Sequence, residues 1–593
     1  MKKVLLLMLF LFVVNVTVNG QSIPKDQAIE EGFENISPER IYIHFNTTLL
    51  FPAEYLYYRV YCFDKKTERL SKISKIAYVE LVSENQEVIF KQKVRLQEGV
   101  GQGDYFVPVS LPSGNYKLVA YTNWMRNFGG DKLFENDISI INPYQANQEA
   151  IIKSFEGQIK SSVDSILVEK EGNTESPDFI PVSVGSIKVG LEKDKYSKRA
   201  AVKLMLKGEN GKDLPKGRYS LSVRQLGGLS QHGRTPINAG FDSKESFKDS
   251  PQMYLPELRG ELIKGRIVSV KNSVSNAKRK VAISFPGDDY QFKIVETNSE
   301  GIFYVNLNKG NTSERTLVQV LGKERDEFNV QFDELNSLDY SQMVFKKITI
   351  DQSDKESILG RSIHNQIESA YFRFKPDSVL PTTHQLPFNS NNFQNYDLAD
   401  YNSFKSLKET LLEIIKDTWV RKNADTGLEI EVKSMDLISN PNLLPLVIVD
   451  GVIVQDHERL LDYDARNLES IGVYRDKYVF GPQVYQGALV LKTKKSDYSQ
   501  NVNDTSVKQF QILRPQLSKK YFTQQYDLDG DTTTFDLPDD RLQLVWMPQV
   551  DVMGKTFDVE FFTSDVTGTY EICLEGITNN GEFISAHKTF LVE

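Results

Sequence analysis

Three aspartates, Asp527, Asp529 and Asp531, stand at alternate positions, the 1-3-5 spacing with which a calcium loop offers carboxylate oxygens to a hard cation. The glycine of such a loop belongs at its sixth position. Gly530 takes the fourth instead, and Pro538 stands where a bidentate glutamate would close the loop. A hydrated acidic turn is the better reading, with adventitious calcium at those three aspartates as the alternative. Six histidines (His44, His232, His364, His384, His457, His587) are scattered with no pair at metal-ligand spacing. Gly99, Gly101 and Gly103 lead into Asp104-Tyr105-Phe106-Val107, a strand and not a helix, so they form a turn and not a nucleotide loop. The sequence contains no GxxxxGK[ST] phosphate loop, no HExxH, no GxSxG elbow and no CxxC pair. Without a nucleophile, base or ligand constellation, the expectation is a non-enzymatic chain that needs no cofactor.

The elements that would position a binding surface are more legible. Leu446–Val449 is an apolar run that breaks at Asp450-Gly451 and resumes as Val452-Ile453-Val454. Asp-Gly between β-branched runs predicts a two-residue hairpin, because both central residues of a type I′ turn need positive φ. Ile471–Tyr474 and Ala488–Thr493 predict further strands. The hairpin at Val447–Val452, the Leu468–Val473 step, the Phe480-Gly481 and Gly487-Ala488 loop and the closing Val490–Lys495 strand occur in an order that resembles the plug domain of TonB-dependent outer-membrane receptors. Fewer than 100 residues follow Lys495, too few for the many ten-residue strands of a transmembrane barrel. The resemblance therefore implies a plug-like module without its own barrel, at residues 426–498. Tyr474, Tyr478, Phe480 and Tyr485 form a rim expected to contact a partner. A helix over 404–420, carrying Phe404, Leu407, Leu411, Ile414, Ile415 and Trp419 on one stripe, is expected to cover the inner face.

Residues 1–20 read as an export signal: Lys2 and Lys3, an apolar run from Val4 to Val14 too short to span a bilayer, then Val18-Asn19-Gly20 with cleavage expected before Gln21. The other 573 residues suggest four or five domains. The 27 Tyr and 34 Phe, set among short alternating runs of Val, Ile and Thr, favour β-sandwiches. Net charge is −9 with both signs dispersed, which argues against nucleic-acid binding. Cys62 and Cys573 are the only cysteines; an oxidising compartment permits a bond between them, while two buried free thiols are the favoured reading.

The fold class expected is mainly β: tandem macroglobulin/Ig-like β-sandwiches plus a small α+β plug-like domain with flanking helices. Arg40–Phe45, the Phe51-Pro52-Ala53-Glu54 turn, Leu111–Tyr116 and Tyr121–Met125 make residues 38–145 resemble a macroglobulin-like sandwich. A linker (146–184) and a second such sandwich (185–250, with room to continue) follow. Residues 255–350 resemble a carboxypeptidase-regulatory-like sandwich, 351–425 read as a helical and loop connector with a helix over 357–371, and 505–593 as a C-terminal sandwich. The macroglobulin thioester requires a CGEQ setting, but Cys62 precedes Phe63-Asp64-Lys65 and Cys573 precedes Leu574-Glu575-Gly576. Together these resemblances imply an exported, non-enzymatic scaffold or docking protein of the periplasm or outer membrane. Its partner would be an envelope protein, an outer-membrane β-barrel or a component of TonB-dependent transport. A macroglobulin-type protease-interacting or adhesive surface protein without the thioester is the alternative.

Overall fold

The computed structural model describes the strand 22–24 and residues 32–593, except 34, 129–132, 153–182, 241–246, 249, 251, 272–273, 288–289, 308–312, 314, 333–336, 381–391, 425–426, 436–442, 503 and 527–536. The export signal and Asp527, Asp529 and Asp531 lie outside the described residues. The chain is mainly β, a set of tandem sandwiches with few helices. Among the described residues no helix is long and apolar enough to cross a membrane. The chain divides into two compact units, one of residues 25–260, 339–381 and 515–593, the other of 1–24, 261–338 and 382–514.

In the first of these, the tandem-sandwich unit, the strand Glu39–Phe45 pairs with Tyr55–Asp64, which pairs in turn with Val100–Phe106. The facing sheet is built on Ile76–Ser83, Val88–Arg95, Gly114–Tyr121 and Phe134–Ile140. Alternation in Glu39–Phe45 predicts one apolar and one mixed face, yet all seven residues are buried. The mixed face meets a second sandwich: Tyr61 Oη lies 2.8 Å from Ser220 Oγ and donates to the Glu575 carbonyl at 3.1 Å.

That second sandwich joins two segments read separately from sequence. Gly217–Gln225 is flanked by Gly568–Thr578 on one side and Gln543–Val550 on the other, while Ala201–Gly208 pairs with Ile187–Leu191 and Thr556–Phe562. Leu204, Leu221, Phe561, Leu574 and Phe590 share one core. The strands from Ile187 to Gln225, expected within 185–250, and the C-terminal strands are therefore halves of one sandwich. Periodicity reports that a strand has a buried face but not which distant strand covers it. Loop closure costs grow only logarithmically with length, so a long insertion between the halves is tolerated.

A helix spans Lys355–Tyr371, close to the expected 357–371, but its buried residues are Ser362 and Asn365 while Leu359 and Ile363 are 57% and 46% exposed. It docks through Ile358, which packs against the cluster of Leu49 and Phe51, and through the polar side chains of Arg361 and Asn365.

The inserted unit begins with a small sandwich whose sheets are Ile302–Leu307, Glu261–Ser269 and Phe328–Phe332, and Gln291–Glu296, Lys280–Phe285, Arg315–Val320 and Lys508–Gln511. The last strand comes from beyond the expected 255–350. A five-stranded sheet follows, in the order Phe393–Asp397, Leu468–Phe480, Gln483–Thr493, Leu446–Val449, Val452–Ile453. The hairpin forms at Asp450-Gly451 with φ of 47° and 84°, both positive as the type I′ turn requires. The Asp450 carboxylate accepts hydrogen bonds from Thr493 N (2.8 Å), Thr493 Oγ1 (2.6 Å) and Tyr498 N (3.1 Å), which ties the turn to the neighbouring strand.

Over Leu446–Val449, Ile471–Tyr474 and Ala488–Leu491 both faces of this sheet are covered, which explains these near-continuous apolar runs. Val447, Val449, Val473 and Leu491 face a cluster with Leu407, Leu411, Leu460 and Leu461 of two short helices, Leu407–Glu413 and His457–Leu461. Leu446, Ile448, Tyr474 and Ala488 face Ala282, Phe292 and Ile294 of the small sandwich. Val490 packs against the second cluster while Leu489 and Leu491 join the first, since neighbouring residues of a strand point to opposite faces.

The helix expected over 404–420 is shorter. Ser406 and Glu409 form a capping box at its start, and the helix ends at Glu413. Asp417 then takes a φ of 64°, and Thr418–Asn423 forms a strand paired with Gly427–Val432. Leu407, Leu411 and Ile415 do cover the sheet, but Trp419 is 41% exposed and belongs to the hairpin. The helix has already ended at Glu413, and beyond the left-handed Asp417 the β-branched Thr418 and Val420 around Trp419 favour a strand.

Candidate functional site

In the tandem-sandwich unit the turn Phe51-Pro52-Ala53-Glu54 closes with Glu54 N donating to the Phe51 carbonyl at 3.2 Å, Ala53 adopting a φ of 68°. The turn aims a buried carboxylate at two guanidinium groups. Arg361 Nε lies 2.8 Å from Glu54 Oε1, and its Nη2 lies 2.8 Å from Oε2; Arg224 Nη2 lies 2.8 Å from Oε2, and Asn365 Nδ2 donates to Oε1 at 3.0 Å. The first sandwich thus supplies the carboxylate, the second sandwich Arg224, and the helix Arg361 and Asn365. Arg361 also lies over the Phe51 ring, 4.6 Å from its centroid. Burial alone would raise the Glu54 carboxyl, but Arg361 and Arg224 outweigh it and hold the pKa at about 2. Desolvation pulls Arg224 below its ordinary value, although the guanidinium stays charged wherever Glu54 titrates.

A second charge cluster adjoins it. Asp539 accepts from Arg541 Nε and Nη2, both at 2.6 Å, from Tyr526 Oη at 2.6 Å and from Lys375 Nζ at 3.2 Å. Lys375 Nζ also donates to both oxygens of Glu368, at 2.8 and 2.7 Å. Burial opposes ionisation of Asp539, yet Arg541 holds its carboxyl well below the usual carboxylate range.

Between the two clusters lies a cleft enclosing about 290 Å³, with Glu54, Arg224, Asn365, Glu368, Lys375 and Arg541 at its base. Its walls are aromatic. Tyr55 stacks on Tyr57 and on Phe372, with centroids 5.4 and 5.8 Å apart, and packs on Phe106 at 5.1 Å. Phe106 and Phe372 are 46% and 42% exposed. Asp377 and Asp540 also line it. Burial raises the Asp377 carboxyl, which accepts from Phe522 N at 3.0 Å.

The arrangement suits binding better than acid–base chemistry, because the charges at the base are already committed to one another. His364 Nδ1 lies 2.6 Å from Asp540 Oδ1, with no hydroxyl or thiol bonded to its other nitrogen among the described residues. Ser585, His587 and Glu571 also align, with Ser585 Oγ 3.0 Å from His587 Nε2 and His587 Nδ1 3.0 Å from Glu571 Oε1. This row runs across the paired strands Gly568–Thr578 and Phe583–Val592, Glu571 is further engaged by Arg234 at 3.2 Å, and none of the three lines the cleft.

The aromatic residues picked out by sequence lie elsewhere, in the inserted unit. Tyr474, Tyr478, Phe480 and Tyr485 all join the cluster on the small sandwich, Phe480 lying 4.5 Å from Phe292 between ring centroids. The rim expected for a partner is turned inward. On the other side of the same hairpin the opposed pair Val479 and Val484 is 66% and 37% exposed. Of the residues in the cleft and its clamp, the sequence marks Ala53 and Glu54 as part of a turn and Phe106 as part of a strand. Arg224 and Arg361 carried no signal, since lone arginines in a strand and a helix look solvent-facing. Cys62 and Cys573 are buried and form no disulfide.

No protein-family model matches this sequence, and no curated relative does. Among solved structures, the chain is similar to Escherichia coli alpha-2-macroglobulin activated by porcine elastase, with 8% identity, 93% of this chain and 44% of that one covered, and a TM-score of 0.22. Salmonella alpha-2-macroglobulin reacted with methylamine gives 9% identity, coverage of 97% and 41%, and a TM-score of 0.22. A CARDB domain from Pyrococcus furiosus in complex with di-metal ions covers 18% of this chain and 90% of its own, with 13% identity and a TM-score of 0.14. The chain spans under half the length of the macroglobulins it matches.

Proposed function

We propose that this chain is a non-enzymatic protein exported to the bacterial cell envelope, a scaffold of macroglobulin-like and carboxypeptidase-regulatory-like sandwiches carrying a plug-like module, which docks another envelope protein. The observation that carries the docking role is the cleft of the tandem-sandwich unit: exposed aromatic walls above a base whose charges are paired among themselves. Such a base is rigid and chemically spent, while the walls offer apolar area and π-faces. Asp377 and Asp540 beside Tyr55 and Phe372 suit an extended partner segment bearing an arginine, which the aromatic faces would attract and the carboxylates would hold.

The plug-like module fits a scaffold role because both faces of its sheet are covered within its own unit. A gate enclosed by a barrel wall would leave one of those faces to the barrel. The test is affinity isolation of the tagged full-length protein from its native envelope, beside the double variant Tyr55→Ala/Phe372→Ala. Loss of a co-purifying envelope protein from the variant, with unfolding unchanged, supports the assignment; retention of every partner refutes it. Deleting 446–495 is a poorer test, since it would uncover Phe292 and Ile294.

A further inference from the structure

Where the two sandwiches of the tandem unit meet, a wholly buried cluster mixes three kinds of metal-ligating atom. His44 comes from Glu39–Phe45, and Cys573 and Glu575 from Gly568–Thr578, where residues two apart share a face. One ligand atom from each lies within 4.8 Å of the other two. Their relative exposures are 0%, 1% and 4%.

Two further observations point to an ion. His44 Nδ1 is 2.6 Å from Ser220 Oγ, which fixes the ring, while His44 Nε2 is buried with no hydrogen-bond partner. The Glu575 carboxylate accepts from Tyr42 Oη and, at 3.4 Å, from Ser585 Oγ, but among the described residues no cation lies within ion-pair distance of it. A buried carboxylate without a counter-charge is expensive. The nearby Arg234 is bonded to Glu571, at 3.2 Å, and to the Asn46 carbonyl, at 3.1 Å, so that pair balances itself.

We propose that His44, Cys573 and Glu575 form a structural site for a thiophilic divalent cation of the zinc class, which pins the two sandwiches face to face. Thiolate, imidazole and carboxylate are the ligands such an ion takes. Binding removes the Cys573 thiol proton to solvent; the thiolate and the Glu575 carboxylate then neutralise the two positive charges, leaving the imidazole neutral and the buried cluster without net charge. Tetrahedral ligands sit roughly 3.5 Å apart, so atoms within 4.8 Å of one another need to close by about 1.3 Å at most, within reach of small side-chain rotations. Because the cluster is sealed, the ion is taken up as the sandwiches come together during folding.

The test uses the full-length chain, unfolded in guanidinium with chelator and refolded with zinc, with cobalt or with neither, then desalted. The site predicts about one equivalent of zinc retained per chain, a higher melting temperature than the metal-free protein, and a thiolate-to-cobalt charge-transfer band with tetrahedral cobalt absorption. Cys573→Ser should abolish the band and lower zinc retention at least ~10-fold. Cys62→Ser, which leaves Cys573 as the sole thiol, should keep both. Absence of the band in the wild type, or its survival in Cys573→Ser, overturns the proposal. If Cys573→Ser does not refold, the Cys62→Ser spectrum decides: a thiolate band supports the site and its absence overturns it.

Discussion

Arg361 reaches Glu54 with two parallel hydrogen bonds, Nε to Oε1 and Nη2 to Oε2, both 2.8 Å long, across 307 positions of sequence. A bidentate pair of this kind fixes orientation as well as distance. It holds the Lys355–Tyr371 helix by its polar side, which is why that helix can leave Leu359 and Ile363 in solvent. Glu54→Ala would strand both Arg224 and Arg361 without a counter-charge. The expected cost is roughly 3–5 kcal/mol in denaturant unfolding of the full chain, as for breaking a buried pair from one side. A loss under about 1 kcal/mol would mean that water screens the clamp.

The pH dependence follows from buried carboxylates held below their ordinary value, Glu54 and Glu571 as well as Asp539. Glu54 sits at about 2 under Arg361 and Arg224, and Glu571 at about 2, where burial is outweighed by Arg234 and His587. A depressed folded pKa contributes stability that is complete above the unfolded value near 4.5 and is lost as pH falls toward 2. Each contributes on the order of 3 kcal/mol at neutral pH. Unfolding free energy should therefore drop steeply through this acid window, and Glu54→Gln should flatten the slope while lowering stability at neutral pH. An unchanged slope in Glu54→Gln would show that other groups carry the acid sensitivity.

Trp419 and Leu411 give a paired test of the inserted unit. Trp419 is 41% exposed and Leu411 fully buried. Leu411→Ala should cost about 2–5 kcal/mol, and Trp419→Ala no more than about 1 kcal/mol, measured by chemical denaturation. Equal losses would place Trp419 in the core as the helical periodicity had suggested.

Gly451 has a φ of 84°, and a Cβ there would lie 2.3 Å from Tyr290 Cβ, a contact that cannot be accommodated without movement of the small sandwich. Gly451→Ala should lower the melting temperature and raise protease sensitivity within 261–332 as well as 446–495, because hairpin and sandwich share that contact. Cleavage confined to 446–495 would show that the two pack independently.

The sequence by itself determined the local elements: the Asp450-Gly451 turn, the alternating strand of 39–45, the helix near 357–371 and the mainly β class. Turn dihedrals and side-chain alternation are properties of a few neighbouring residues, so composition and spacing expose them. Tertiary structure alone decided which strands share a sandwich, why the mixed face of Glu39–Phe45 is buried, and where Tyr474, Tyr478, Phe480 and Tyr485 turn. It also decided that Glu54, Arg224 and Arg361 meet, and that His44 lies beside Cys573 and Glu575 although more than 500 residues separate them. These relationships depend on which distant surface covers each face. A strand pattern shows that a face must be covered but carries no record of its partner.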